Sequence, residues 1–182
     1  MDSLSHLRQP LQKKRRLIPT GRRFTVDPGL EKQVPQLSLH SPIGDLTVSE
    51  EEGEIVSLDC GWGRDQISTP LLLRAKTALQ DYFDGAALPA DLPLNPGGSA
   101  YRQRVWQALR QIPAGQTRSY LEMARIAGGS PRSVGGANAA NPIAIFIPCH
   151  RVVATTGIGG YSFADGAATK EKLLALERGG KI

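Results

Sequence analysis

Between Ala86 and Gly98 the chain reads AALPADLPLNPGG, with Pro89, Pro93 and Pro96 followed by a double glycine. Proline has no amide hydrogen and clashes with the preceding turn, so neither a helix nor an interior strand can run through this stretch. The 182 residues must fold as two parts on either side of it. Charge changes sign at the same place: residues 41–98 carry 3 Lys/Arg against 10 Asp/Glu, and residues 99–182 carry 11 against 4. A basic surface on the second part is what binding a polyanion requires, because Lys and Arg there release condensed counterions. A merely solvated charge pattern is the plain alternative.

The first part has two sections. Residues 1–35 hold Lys13, Lys14, Arg15, Arg16, Arg22 and Arg23 among scattered prolines, without an apolar period. They read as a basic, mostly unstructured arm, with a transit or nuclear-type signal as the other reading. From Gln36 short alternating segments take over, QLSLH, DLTVS and EIVSLDC, which predict an antiparallel meander with a turn at Ser41–Gly44. Leu72, Ala75, Leu79, Tyr82 and Phe83 follow at helical spacing and stop at Gly85. Residues 36–98 are thus expected to form an α/β subdomain with its linker.

Several function classes fall away. Two cysteines, Cys60 and Cys149, are too few for a disulfide framework, and no Cys/His spacing suits zinc. The longest apolar run, Ile143–Cys149, is far short of the roughly 20 residues that span a bilayer. The N-terminus lacks the apolar core of a secretory signal. A soluble, intracellular protein in a reducing compartment is expected.

Past Gly98 a helical stripe runs through Tyr101, Val105 and Leu109 after Ser99. Ser119 with Glu122 forms a capping box for a short helix ending at Gly128–Gly129, and Ser130 with Pro131 opens another, PRSVGGANAA. Two short helices on a tight glycine turn make a helix-turn-helix pattern. The second contains Gly135 and Gly136, each about 1 kcal/mol worse than alanine in a helix. Close approach of a backbone, of protein or nucleic acid, would explain them. The run Ile143–Ile147 has strand character and delivers Pro148, Cys149, His150 and Arg151. A free thiol is mostly protonated near neutral pH, so a nucleophilic Cys149 needs a base or positive field, and His150 and Arg151 are adjacent. A buried, inert cysteine is the alternative.

The segment NPIAIFIPCHRVV, Asn141–Val153, resembles the signature of the O6-alkylguanine-DNA alkyltransferases. RVWQALRQIPAGQTRSY and RSVGGANAANP lie upstream of it, and GGY and KEKLLALE downstream, in the family's order. The resemblance is strong over residues 99–178 and loose over 36–98. It implies an α+β protein, with a small N-terminal antiparallel sheet and a helix before a mainly helical C-terminal domain, residues 99–182, carrying the helix-turn-helix. It also implies a single-turnover transfer of an alkyl group from O6-alkylguanine, and O4-alkylthymine, to Cys149. His150 resembles the base that takes the thiol proton through water, and Glu171 the carboxylate orienting it. Asn141 resembles the hinge residue, and Tyr161 the residue that holds guanine and neutralises its leaving oxygen.

The DNA surface implied by the resemblance comprises Tyr120, Arg132, Ser133, Gly135, Gly136, Asn138 and Arg151. Arg132 resembles a finger filling the place of a flipped nucleotide, and Tyr120 a residue that rotates it outward. The partner implied is double-stranded DNA bound through its minor groove. A monomer, no metal or cofactor, no membrane, and a cytoplasmic, nucleoid-associated or nuclear location complete the expectation. Cys60 has no counterpart in the family pattern and is expected to be buried, while GGYSFADG departs from the commoner Gly-Gly soon after the Tyr. A lesion-binding protein without an acceptor cysteine is disfavoured by Cys149, His150 and Glu171. A helix-turn-helix regulator is disfavoured by the small residues of the second helix, and a Cys hydrolase by the irreversible thioether.

Overall fold

The alternating residues after Gln36 do form a sheet. The computed structural model describes residues 33–182, so the arm expected over 1–35 falls almost wholly outside the described residues. Strands β1 (Gln36–Leu39), β2 (Leu46–Glu51) and β3 (Glu54–Cys60) pair antiparallel in that order. The β1–β2 turn closes where Gly44 N donates to Ser41 O at 3.1 Å. Helix α1 (Pro70–Phe83) starts from a Thr69 cap with Pro70 in its first turn. Its buried Leu72, Ala75, Leu79 and Tyr82 share one core with Leu39, Leu46, Val48 and Leu58 of the sheet.

The proline-rich segment forms neither helix nor strand, but it follows β3: Ile55 N donates to Pro93 O at 2.9 Å and Asn95 N to Ile55 O at 2.8 Å. Helix α2 (Ala100–Arg110) begins at a Ser99 cap. It is pinned to the next helices by Trp106, whose indole Nε1–H donates to Ala137 O at 2.9 Å. Strand β4 (Arg118–Ser119) leads into α3 (Tyr120–Ala127), and α4 (Pro131–Ala139) follows after Gly128–Gly129. Both helices carry complete capping boxes, Ser119 with Glu122 and Ser130 with Ser133. Strand β5 (Val152–Val153) pairs parallel with β4, and α5 (Ala167–Glu177) closes the fold. Among the described residues no helix is long and apolar enough to cross a membrane.

One element differs from its sequence reading. Ile143–Ile147 is not a strand but a buried turn, with an isolated bridge between Ala144 and Ile147 and Ile145 at φ 71°. Asn141 replaces the missing ladder: its Oδ1 accepts from Ile143 N at 3.0 Å and its Nδ2 donates to Ile147 O at 2.8 Å. A side chain that supplies both a donor and an acceptor thus lets a fully apolar segment turn inside the core.

Candidate active site

The turn that Asn141 holds ends in a single 3₁₀ turn over Cys149–Arg151, which buries Cys149 to 5 % exposure. Asn141 Nδ2 also points at the Cys149 Sγ, 3.2 Å away. Burial pushes the thiol above its ordinary pKa, although Asn141, Lys170 and Tyr161 all favour the thiolate. At neutral pH the resting side chain is therefore a protonated thiol. Any nucleophilic act must begin by removing that proton.

His150 is fully buried, and its Nε2 lies 2.7 Å from Glu177 Oε1. Burial holds the imidazole below its ordinary pKa despite the carboxylate alongside, so it is neutral. Desolvation alone would raise the Glu177 pKa, but hydrogen bonds from His150 and Arg151 hold it far below the usual carboxylate range. A neutral imidazole facing an ionised carboxylate through Nε2 must carry its hydrogen there, which leaves Nδ1 as the basic nitrogen. Nδ1 is buried and makes no hydrogen bond within the protein.

Glu177 collects more donors than this one. Tyr82 Oη donates to Oε1 at 2.9 Å, Gly115 N to Oε2 at 3.0 Å, and Arg151 makes a fork to both oxygens. The carboxylate expected here was that of Glu171. Glu171 instead lies exposed on α5, and the structure corrects that expectation. Six residues of helix turn through about 240°, so Glu171 and Glu177 cannot share a face.

A cavity of about 300 Å³ opens above the thiol, lined by Tyr120, Gly135, Asn138, Cys149, Gly160 and Tyr161 among others. Two of these offer unused polar atoms. Asn138 is 9 % exposed, and its amide makes no hydrogen bond of normal geometry, lying only near the Tyr120 hydroxyl; the Tyr161 hydroxyl is likewise buried and lies only near the Cys149 sulfur. Buried polar groups are nearly always paired, so such orphans inside a cavity point to a ligand. Tyr120 reaches across to Gly160 O at 3.4 Å. A larger cavity, about 490 Å³, lies under the proline-rich segment and touches Arg151 but not Cys149.

The remaining expected residues separate. Arg132 is exposed in the first turn of α4 and pairs with nothing among the described residues. A side chain added at Gly136 would meet open space, and one at Gly135 only Tyr120 at 3.9 Å. Packing within the protein therefore does not require those two glycines. Ser133 uses its hydroxyl in the α4 cap and in a 2.6 Å hydrogen bond with Tyr101 Oη. Arg151 was expected on the DNA surface, but its guanidinium is committed to Glu177 and to Ile112 O. It is 9 % exposed, because an ionised buried carboxylate needs a buried cation beside it. Among the described residues no cluster of three His, Cys, Asp or Glu is arranged to hold a metal ion.

A 6-O-methylguanine DNA methyltransferase ribonuclease-like domain model matches residues 37–96, and a 6-O-methylguanine DNA methyltransferase DNA-binding domain model matches residues 100–179. The chain belongs to the 6-O-methylguanine DNA methyltransferase family. A Bacillus subtilis (strain 168) relative, the constitutive methylated-DNA--protein-cysteine methyltransferase, is 40 % identical over 76 % of this chain and 92 % of its own. Among solved structures, the Mycobacterium tuberculosis O6-methylguanine methyltransferase superposes with TM-score 0.71 at 36 % identity, over 82 % of this chain and 96 % of that one. The Mycobacterium tuberculosis OGT in complex with DNA gives TM-score 0.72 at 36 % identity, over 81 % and 96 %.

Lys170 has no part in the sequence-based site, yet it is the most unusual residue beside it. It is fully buried without a carboxylate, its Nζ donating to Val152 O at 2.6 Å and Gly160 O at 3.1 Å. The Tyr120 ring lies 5.9 Å from it. Burial lowers its pKa to about 8, and a thiolate formed at Cys149 would raise it again. The signal was present in the sequence: Lys170, Leu173, Leu174 and Glu177 fall at i, i+3, i+4 and i+7, one buried helix face.

Proposed function

We infer that this family member repairs DNA by taking the alkyl group of O6-alkylguanine, and of O4-alkylthymine, onto the sulfur of its own Cys149, once per molecule. The observation that carries this reading is the environment of that thiol. It lies at the floor of a cavity with orphan polar groups, with Asn141 on its sulfur and, next in the chain, a neutral histidine oriented by Glu177.

The proton leaves the thiol for His150 Nδ1, through an intervening water, and the imidazolium that forms is stabilised by the Glu177 carboxylate. The developing thiolate has two supports, the Asn141 amide and the buried Lys170 ammonium. A carbon–sulfur bond forms as the carbon–O6 bond breaks, and the electron pair stays on the guanine. The Tyr161 hydroxyl donates to that oxygen as its charge grows, and the proton held on His150 returns through the same water to the guanine, which then leaves the cavity. The thioether on Cys149 has no hydrolytic route back, so each molecule acts once.

Cys149 is only 5 % exposed within that cavity, so a base still stacked in a duplex cannot reach its sulfur and the nucleotide must be flipped in. The face of α4 left open at Gly136 permits a nucleic-acid backbone to come close, and its small side chains suit the minor groove better than reading base edges. Arg132 takes the vacated place and Tyr120 crowds the rotating nucleotide. The protein acts as a monomer, in the cytoplasm or wherever the cell keeps its DNA. The test is peptide mass analysis after incubation with an O6-methylguanine duplex. One methyl group on the peptide containing Cys149, none on Cys60, and one turnover per molecule are expected; repeated turnover would refute the reading.

A further inference from the structure

Tyr82 stands in the last turn of α1, in the N-terminal subdomain, and is 3 % exposed. Its ring belongs to the core that this helix forms with the sheet. Its hydroxyl reaches further. Oη donates to Glu177 Oε1 at 2.9 Å, across 95 residues of chain. A residue of the N-terminal subdomain thereby supplies a donor to the carboxylate that orients His150.

That oxygen is crowded. Oε1 also accepts from His150 Nε2 at 2.7 Å and from Arg151 Nη2 at 2.8 Å, while Oε2 takes Gly115 N at 3.0 Å and Arg151 Nε at 2.9 Å. A carboxylate oxygen offers about two lone-pair sites, so the donors at Oε1 divide its charge among them. Burial, and then the Glu177 charge, hold the Tyr82 hydroxyl far above its ordinary pKa, so it stays protonated and always donates. The consequence falls on His150. A carboxylate beside a histidine stabilises the imidazolium, and an imidazole that is already protonated cannot take a proton from Cys149.

We propose that Tyr82 is a positioning residue for alkyl transfer: by sharing Glu177 Oε1 with His150, its hydroxyl limits the pull of the carboxylate on the imidazole and keeps Nδ1 free to take the thiol proton. The inference rests on the reading of Cys149 as acceptor and His150 as its base. The groups that face the imidazole fit this assignment. Burial disfavours the imidazolium, as do Arg151 in the same turn and Lys170 of α5, while Glu177 of α5 favours it. Tyr161, its ring 6.5 Å from that of His150, and Cys149 are both held protonated by burial, so neither brings a charge. Tyr82 acts from α1 on the group that favours protonation. Removing its hydroxyl while keeping the ring leaves Oε1 with the His150 and Arg151 donors, so no buried polar atom is orphaned and the core keeps its shape. What changes is the pull of Oε1 on the Nε2 hydrogen.

The test is Tyr82→Phe in the full chain, read in two ways. The first is the single-turnover rate of methyl transfer from an O6-methylguanine duplex, followed against pH. The midpoint at which the rate falls on the acid side should move up by about half a pH unit, with the rate near neutrality within about threefold of wild type. The second needs no substrate. In the proton NMR spectrum the His150 Nε2–H, held between the imidazole and the carboxylate, should move downfield in the variant as its hydrogen bond to a less shared oxygen strengthens. Equal slowing at every pH with an unmoved ring proton would overturn the proposal and reduce Tyr82 to a packing residue. So would an acid midpoint that stays in place or moves down. Failure of wild type to transfer the methyl group would instead remove the reading of Cys149 and His150 on which the proposal stands, and the ring proton, read without DNA, keeps the two failures apart.

Discussion

His150 Nε2–H donates to Glu177 Oε1 over 2.7 Å, and the same carboxylate oxygen accepts from the Arg151 guanidinium at 2.8 Å. One buried anion thus fixes the tautomer of the base and neutralises a buried cation. Glu177→Gln keeps the shape but removes the charge, and its amide NH₂ would face donors. We expect a loss of about 3 kcal/mol in urea unfolding, the scale for breaking a buried ion pair, together with slower alkyl transfer. Glu171→Gln, at an exposed position, should change stability by less than about 0.5 kcal/mol and leave transfer intact. Equal slowing by the two substitutions would restore Glu171 to the relay.

The pH response follows from the directions of the shifts. His150 has a folded pKa below its ordinary 6.5, so below pH 6.5 the unfolded chain takes up a proton that the folded one refuses. Stability is lost as pH falls from there. Glu177 is depressed below its ordinary 4.5; its contribution is complete above that value and is lost as pH falls through the folded pKa. The two have the same sign, and acid should destabilise in two overlapping stages. The alkyl-transfer rate should be flat near pH 7, where the thiol is protonated, His150 neutral and Lys170 charged; it should fall at lower pH once the imidazole protonates, and above about pH 8 as Lys170 loses its proton. A tenfold rise per pH unit across that plateau would show that free thiolate reacts without help from His150.

Lys170 gives the opposite end of the pH scale its own test. Its pKa is lowered from 10.5 to about 8, so between those values the unfolded chain holds a proton that the folded one has lost. Wild-type stability should therefore gain on Lys170→Met as pH rises from about 8 to 10.5, by on the order of 2 kcal/mol. The same substitution should slow alkyl transfer about tenfold, because one unit of thiol pKa is about 1.4 kcal/mol. A variant that transfers at the wild-type rate would reduce Lys170 to a structural residue.

How much of this was legible in the sequence varied with the physics involved. The meander, α1, the break after Gly85, the Ser119–Glu122 capping box, the Ser130 cap and the paired short helices depend on local patterns of capping, turns and periodicity, and they were readable. The Ile143–Ile147 turn was not, because its apolar residues suit a strand and only the side-chain amide of Asn141, just before the segment, supplies the hydrogen bonds that let it turn. Glu177 and Lys170 were readable in principle, since the stripe with Leu173 and Leu174 marks the buried face of α5; the family resemblance, carried onto KEKLL, pointed instead to Glu171. Arg151 was misassigned because a basic residue beside a DNA-binding motif looks like a phosphate contact until its buried partner is known. Cys60 was misread because exposure at a strand end depends on what the neighbouring loop leaves uncovered.

Arg132 separates two ways of engaging the duplex. It is exposed at the start of α4 and pairs with nothing among the described residues, so the protein itself gives it no structural task. If it fills the place of the flipped nucleotide, Arg132→Ala should slow repair of duplex O6-methylguanine far more than reaction with free O6-benzylguanine. Only the duplex reaction needs lost stacking replaced, at a cost of a few kcal/mol. Arg132→Lys should rescue only part, since an ammonium keeps the charge but not the planar surface of a guanidinium. If Arg132 only contacts phosphate, Arg132→Ala should weaken binding, reduce its salt dependence by about one charge, and leave the saturated transfer rate nearly unchanged. Equal slowing on duplex and free base would mean that α4 itself is disturbed, and a melting curve of the variant would then show the loss.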